Sequence, residues 1–346
     1  MKGNKVLQLV LLIIGFCLIG CNSGNNSINR SFYYWKTTFN LSESDYSFFK
    51  NKNIHTIYVR MFDLRWDESL HKVIPIGEIV FENRPKTSIQ FIPVVYITNR
   101  SLKESKFNDL QILAENIYNE VNYISKNAKF SFSELQLDCD WTVSTRKLYF
   151  ELIDILKKKF DRHNVIISVT IRLHQVKYKE STGVPPVSKG MLMFYNMGKL
   201  SDKNCSNSIY NEHDALKYTS FIKNYPLHLD VALPLFSWGV HFRDSSFIEL
   251  LDNWDERNFI KNENFTKNKN GEFVSQQSFF YKGFYFRKDD VIKIEKADVP
   301  ICQKAAQLLS KQLRSEVRTI TIFDFDKNKM NDYETKDFDK IYNCFN

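Results

Sequence analysis

Runs of apolar residues long enough for a strand alternate with amphipathic stretches long enough for a helix through nearly all of the chain beyond residue 31. That alternation predicts a β/α architecture. The strand-like runs are Phe32–Phe39, Thr56–Asp63, Ser88–Ile97, Glu134–Trp141, Val165–Leu173, Met191–Met197, Leu229–Phe236 and Thr319–Phe325. Eight is the number that closes a parallel barrel, so the predicted fold class is α/β, a (β/α)8 or TIM barrel. Between the runs, Asp109–Lys126 repeats apolar residues at Leu110, Leu113, Ile117, Val121 and Ile124, and Thr145–Phe160 does so at Leu148, Leu152, Ile155, Leu156 and Phe160. Both have the period of a helix with one buried face, as the outer ring of a barrel requires. Val73–Phe81 lacks that period, and an irregular stretch or short strand is expected there. After the seventh run comes an insertion, about residues 243–297, with a predicted short helix at Phe247–Trp254, a Lys/Asn-rich loop around Lys267–Gly271 and an aromatic hairpin from Phe279 to Phe286. Loops that follow barrel strands overhang the active face, so this insertion is expected to wall or cover a site.

The fourth run has the clearest two-sided pattern. In Leu135-Gln136-Leu137-Asp138-Cys139-Asp140-Trp141-Thr142, strict alternation sends Gln136, Asp138, Asp140 and Thr142 to one face and the apolar residues to the other. Two carboxylates on one face of such a strand are costly to bury, so that face is expected to line a water-filled barrel mouth. Arg60 and Arg172 fall mid-to-late in the second and fifth runs, where an unpaired guanidinium would be costly. The economical assignment pairs both with Asp138 and Asp140, which would depress the carboxylate pKa values and make these residues poor general acids. Asp63, Asp324 and Asp326 are further carboxylates at strand ends, with strand-end caps as their plain alternative. Trp35, Tyr96, Trp141, Tyr195 and Trp238 lie near the expected mouth, and Trp238, placed where a loop begins, is the best candidate for a platform under a sugar ring. Packing is the plain alternative for each.

The N-terminus changes the picture of where the barrel sits. Lys2 and Lys5 precede an apolar run from Leu9 to Ile19, which ends in Leu18-Ile19-Gly20-Cys21. This order of features predicts a secretory signal over residues 1–21 and resembles the lipobox of bacterial lipoproteins, with Cys21 as the lipidated new N-terminus. Residues 22–31 then read as a polar tether and 32–346 as the barrel domain. The expectation is a cell-envelope protein anchored to a membrane through Cys21, with the leaflet open. The formal net charge of +8 falls to +6 once Lys2 and Lys5 leave, and the lysines are scattered rather than clustered, which argues against a nucleic-acid partner. Cys139 reads as a small core residue. Cys205, Cys302 and Cys344 show no metal-type spacing, and a disulfide among them stays unassigned. His174, His228 and His241 are too dispersed to suggest a metal site, and neither a nucleophile elbow nor a phosphate-cradling glycine loop is present, so no cofactor is expected.

Asp138-Cys139-Asp140-Trp141-Thr142 resembles the end of the fourth-strand signature D-G-x-D-x-D-x-E of glycoside hydrolase family 18, the chitinase-like barrels. Met193-Phe194-Tyr195-Asn196 resembles their sixth-strand M-x-Y-D. The resemblance implies that Asp140 orients a substrate's acetamido group, that Tyr195 hydrogen-bonds the same group, and that Asn196 is a near match at the motif's last position. It also implies a departure, because Thr142 stands where the family has its proton-donating Glu, and Leu135-Gln136 replaces the opening Asp-Gly. A hydroxyl cannot supply a proton at useful rates near neutral pH, so the family's own mechanism is not expected.

Three accounts fit these residues. Asp138 and Asp140, or one of them with a carboxylate from another strand, form a different acid/base pair for glycoside hydrolysis. Alternatively the mouth, lined by Arg60, Asp138, Asp140, Arg172, Tyr195, Asn196 and Trp238, holds a glycan or a protein partner without cutting it. The third account is a structural role in which insertion side chains fill the cleft.

Overall fold

The structure, a computed structural model, describes residues 28–314, 316–330 and 332–345. The expected signal segment, Cys21 and residues 22–27 of the expected tether lie outside the described residues, and residues 28–31 belong to the first strand. Eight parallel strands close a ring: β1 (Ile28–Tyr34), β2 (Ile54–Asp67), β3 (Gln90–Ile97), β4 (Glu134–Cys139), β5 (Ile166–Arg172), β6 (Lys189–Met193), β7 (His228–Pro234) and β8 (Arg318–Phe323). Each pairs in parallel with the next, and β1 closes the circle by pairing with both β8 and β2. The α/β barrel expected from the eight apolar runs is thus the fold of the chain. Helices α1 (Leu110–Ala128) and α2 (Arg146–Asp161) cover β3 to β5 and bury the predicted apolar stripe, including Leu113, Ile117, Val121, Leu152 and Phe160. The stretch without helical period forms a short strand, Lys72–Ile76, antiparallel to the end of β2.

Alternation along β4 organises the interior. Leu135, Leu137 and Cys139 face outward into the main core beneath the helices, where they pack with residues such as Phe32, Val121 and Leu152. Glu134, Gln136 and Asp138 face inward and make three polar floors. Gln136 accepts from the Tyr33 hydroxyl at 2.5 Å, and Asp138 accepts from the Thr170 hydroxyl at 2.6 Å. At the base, Lys189 lies 2.7 Å from Glu134 and 3.3 Å from Asp230, while Ser168 donates to Glu134 at 2.6 Å. The Thr319 backbone N–H also donates to Asp230, at 2.6 Å. Lys189, Glu134 and Asp230 therefore each have an opposite partner, which burial in a low dielectric demands. The N-terminal end of a barrel is where such residues serve stability.

The insertion starts earlier than the pattern suggests. Ser237–Arg243, directly after β7, is already the first strand of a five-stranded antiparallel sheet that also contains Ser246–Asp252, Phe265–Lys267, Phe273–Ser275 and Val291–Lys296. The expected helix at Phe247–Trp254 is therefore corrected to a strand, Ser246–Asp252, paired antiparallel with Ser237–Arg243. The two strands are joined by Asp244 and Ser245, both with positive φ (48° and 65°), the conformation of a tight hairpin turn. A short apolar run fits a helix or a strand equally well by periodicity, and here the turn decides. The aromatic hairpin forms as expected, with Phe279–Tyr281 against Phe284–Phe286. Leu251, Trp254, Phe259, Phe265, Phe273, Phe286 and Ile292 give the insertion its own small core.

Candidate functional site

At the C-terminal mouth, a cavity of about 430 Å³ is lined by side chains from all eight barrel strands or the residues just after them, together with Asp252, Asn253 and Trp238 from the insertion. A second cavity of about 390 Å³ shares Asp140, Arg172, Tyr195 and Asn196 with it and adds Thr142, His174 and Tyr218. Each falls within the ordinary range for ligand pockets, roughly 300–1,000 Å³. The shared residues form a wall between the two cavities, which lie side by side at the barrel mouth.

Arg172, the last residue of β5, sits at the centre of that wall. Its Nε donates to Asp140, and its Nη2 lies 3.6 Å from Asp138. Burial alone would disfavour the guanidinium's charge, but Asp138 and Asp140 outweigh it and hold its pKa above the ordinary value. Asp138, the last inward residue of β4, is only 4% exposed. Burial raises its pKa, and the opposing effects of Arg172 and the Thr170 hydrogen bond do not cancel that rise. The expected depression of this carboxylate's pKa is thereby corrected: desolvation outweighs the cation. Asp140 lies one residue beyond the strand with its side chain 45% exposed, so it is the carboxylate of the pair that meets solvent.

Arg60 is not part of this arrangement. Its Nε donates to Asp63 at 2.7 Å and its Nη1 to the Gly77 carbonyl at 3.0 Å, and it does not line either cavity. The expected pairing with Asp138 or Asp140 therefore holds for Arg172 and fails for Arg60. The cause is a bulge: the register of β2 against β3 shifts between Arg60 and Phe62. Residues three apart in a regular strand face opposite ways, and one extra residue brings them to the same side. Gly77, at φ +59°, passes so close that a Cβ there would lie 2.9 Å from Arg60 Nη2. Arg60 thus ties the 72–76 strand and its loop to the barrel.

The remaining expected residues do reach the cleft. Tyr195, just beyond β6, is buried and directs its hydroxyl to Met193 Sδ at 3.1 Å. Burial pushes its pKa well up, against the pull of Arg172. Asn196 follows in the left-handed region (φ 56°), with its backbone N–H bonded to the Ile209 carbonyl and its side chain exposed. Trp238 does not close β7, as expected, but is the second residue of the insertion sheet. Its indole N–H donates to Glu295 at 3.1 Å, and its ring packs edge-on against Phe236 at 5.3 Å. Trp35 and Tyr96 line the first cavity as well, whereas Trp141 is fully buried, stacked on Tyr149. Thr142 sits in the second cavity with its backbone N–H bonded to the Thr145 hydroxyl.

Several lining residues were not singled out by the sequence: Arg65, Asp252, Asn253, Phe236 and Phe323. Arg65 stands two residues beyond Asp63 in β2, 3.5 Å from it, so alternation from Asp63 would have found it. Asp252 and Asn253 end an insertion strand whose pattern points to a helix, and no local signal marks them. Asp324, named among the strand-end carboxylates, lines the first cavity and is buried. Burial pushes its pKa up to about 6, Lys329 opposing the rise and Asp326 and Asp252 adding to it.

No family profile and no curated protein matches the chain. Solved structures do resemble it. The spore cortex-lytic enzyme SleL of Bacillus megaterium aligns at a TM-score of 0.52 and 10% identity, over 91% of this chain and 75% of that one. The Group IV chitinase of Ostrinia furnacalis, in complex with allosamidin, aligns at 0.52 and 10% identity, over 91% of this chain and 98% of its own. The chitinase-like agglutinin of Robinia pseudoacacia aligns at 0.51 and 10% identity, over 91% and 99%. At that identity the likeness is one of fold, and the chain has the fold of chitinase-like barrels.

Proposed function

We propose that the barrel mouth binds a saccharide chain. The observation that carries this is the composition of one cleft: the charged group Arg172, Asp138 and Asp140 faces an aromatic wall of Trp35, Tyr96, Phe236, Trp238 and Phe323. A sugar ring presents apolar C–H faces and polar edges together, and a cleft with few convergent polar groups among aromatic rings matches both. The fold shared with chitinases and a chitinase-like agglutinin supports an N-acetylhexosamine polymer as the ligand class. Thr142 in place of a carboxylic acid, and Arg172 across both aspartates, favour holding the chain over the family's mode of cutting it.

Asp140→Asn tests this reading. Calorimetry with N-acetylchitohexaose should show affinity at least about tenfold weaker, equivalent to about 1.4 kcal/mol. The unfolding midpoint should barely move, because a half-exposed pair contributes about 0–1 kcal/mol. A D140N protein that binds as tightly as the parent removes Asp140 from the site.

We also propose that a lipid on Cys21 holds the barrel at the cell envelope. The order of charged start, apolar run, Gly20 and Cys21 supports it, as does the polar segment after Cys21 that would act as a tether. Labelling with radioactive palmitate should mark the protein and fail to mark Cys21→Ser; equal labelling of both would refute the anchor.

A further inference from the structure

We propose that the cleft also cuts the chain it holds, with Asp324, immediately after β8, donating the proton to the glycosidic oxygen. This rests on the saccharide site proposed above. Asp324 lines the same cavity as Asp138, Asp140, Arg172 and Tyr195, and is only 5% exposed. Asp138 and Asp140 are engaged by Arg172 and Asp63 by Arg60, whereas no hydrogen bond or ion pair among the described residues reaches Asp324. Four charged groups face it. Lys36, from the segment after β1, is 3.6 Å from Asp326, and buried Lys329, from the short helix after β8, donates to Asn253 at 2.8 Å. Both cations have their nearest partners elsewhere, and their charges only partly offset the effect of burial on Asp324. The other two neighbours, Asp326 and Asp252, repel a negative charge on Asp324. Tyr195 also senses it from β6. A carboxyl that is desolvated, without an ion pair among the described residues and near two like charges holds its proton up to about pH 6, which suits a general acid.

The step balances as a hydrolysis. The proton leaves the Asp324 carboxyl for the glycosidic oxygen, and the C1–O bond breaks with its electron pair going to the departing sugar. Asp138 and Asp140 face the positive charge that develops at C1. A water oxygen then bonds to C1, its surplus proton passes to Asp140, and exchange with solvent restores both carboxyl groups. One glycosidic bond and one water become two sugar ends.

The test incubates N-acetylchitohexaose with the protein and with D324N from about pH 4 to 8, follows products by chromatography, and measures affinity of both by calorimetry. The parent should shorten the probe, with a rate that falls about tenfold per pH unit above about 6, because only the acid form donates. D324N should lose at least about a hundredfold in rate while its affinity stays within about threefold. Binding without cleavage by the parent, or cleavage by D324N at the parental rate and pH profile, overturns the assignment of Asp324 and leaves the saccharide site standing. Absence of binding by the parent removes both.

Discussion

Replacing Arg172 with Met is expected to lower the stability of the protein by about 3–5 kcal/mol at neutral pH and to abolish saccharide binding. The side chain is mostly buried and is the cation that faces both Asp138 and Asp140. Removing it leaves Asp138 buried with, among the described residues, only the Thr170 hydroxyl to stabilise its charge. The pH dependence carries a definite sign. Asp138 already has a pKa above that of the unfolded chain, so its contribution to stability is greatest in acid and is lost as pH rises through its folded value. Without Arg172 that pKa rises further, and the deficit of the variant should grow from pH 5 to pH 8 in urea titrations. Adding Asp138→Asn should restore a large part of the stability but none of the binding. A stability loss that does not vary with pH would show that Asp138 does not depend on Arg172.

Lys189→Met at the opposite end of the barrel is expected to lose stability of the same order, about 3–5 kcal/mol, and to leave saccharide affinity of the folded protein unchanged. Lys189 bridges Glu134 and Asp230, and neither acid lines the cleft. Burial acts against its charge, but the two carboxylates outweigh that and raise its pKa. The stability it provides is therefore present at neutral pH and lost only in alkali, as pH passes through the raised value. Asp230 behaves oppositely: burial would raise its pKa, but His228, Lys189 and the Thr319 N–H bring it below the ordinary value. Its contribution is present above the ordinary carboxylate range and lost as pH falls through its folded value. Urea unfolding with calorimetry at matched folded concentration checks this, and a changed affinity would mean that base and mouth are coupled. The two substitutions thus separate a charge that builds the barrel from one that builds the cleft.

Much of this arrangement was legible in the residues. Apolar runs of strand length located all eight barrel strands, and period-two alternation along the fourth placed Gln136 and Asp138 inside, because one buried face leaves little freedom of register. Alternation misleads where the backbone breaks its own period. The bulge between Arg60 and Phe62 turns Arg60 toward Asp63, and a bulge of this kind has no residue signature. The insertion was harder because its first turn uses Asp244 and Ser245 rather than an Asn-Gly pair, so the hairpin carrying Asp252 into the cleft was hidden. That Asp324 has no ion pair among the described residues could not be read at all. It depends on where Lys36 and Lys329 find other partners, which only the folded chain determines.

Diffraction from crystals of the protein soaked in N-acetylchitohexaose tests the saccharide cleft most directly. The expected result is a sugar chain lying across the barrel mouth, with one ring against Trp238 and hydrogen bonds to Asp140 and Arg172. A chain bound elsewhere on the surface, or a cleft still filled by solvent at saturating sugar, would contradict the account.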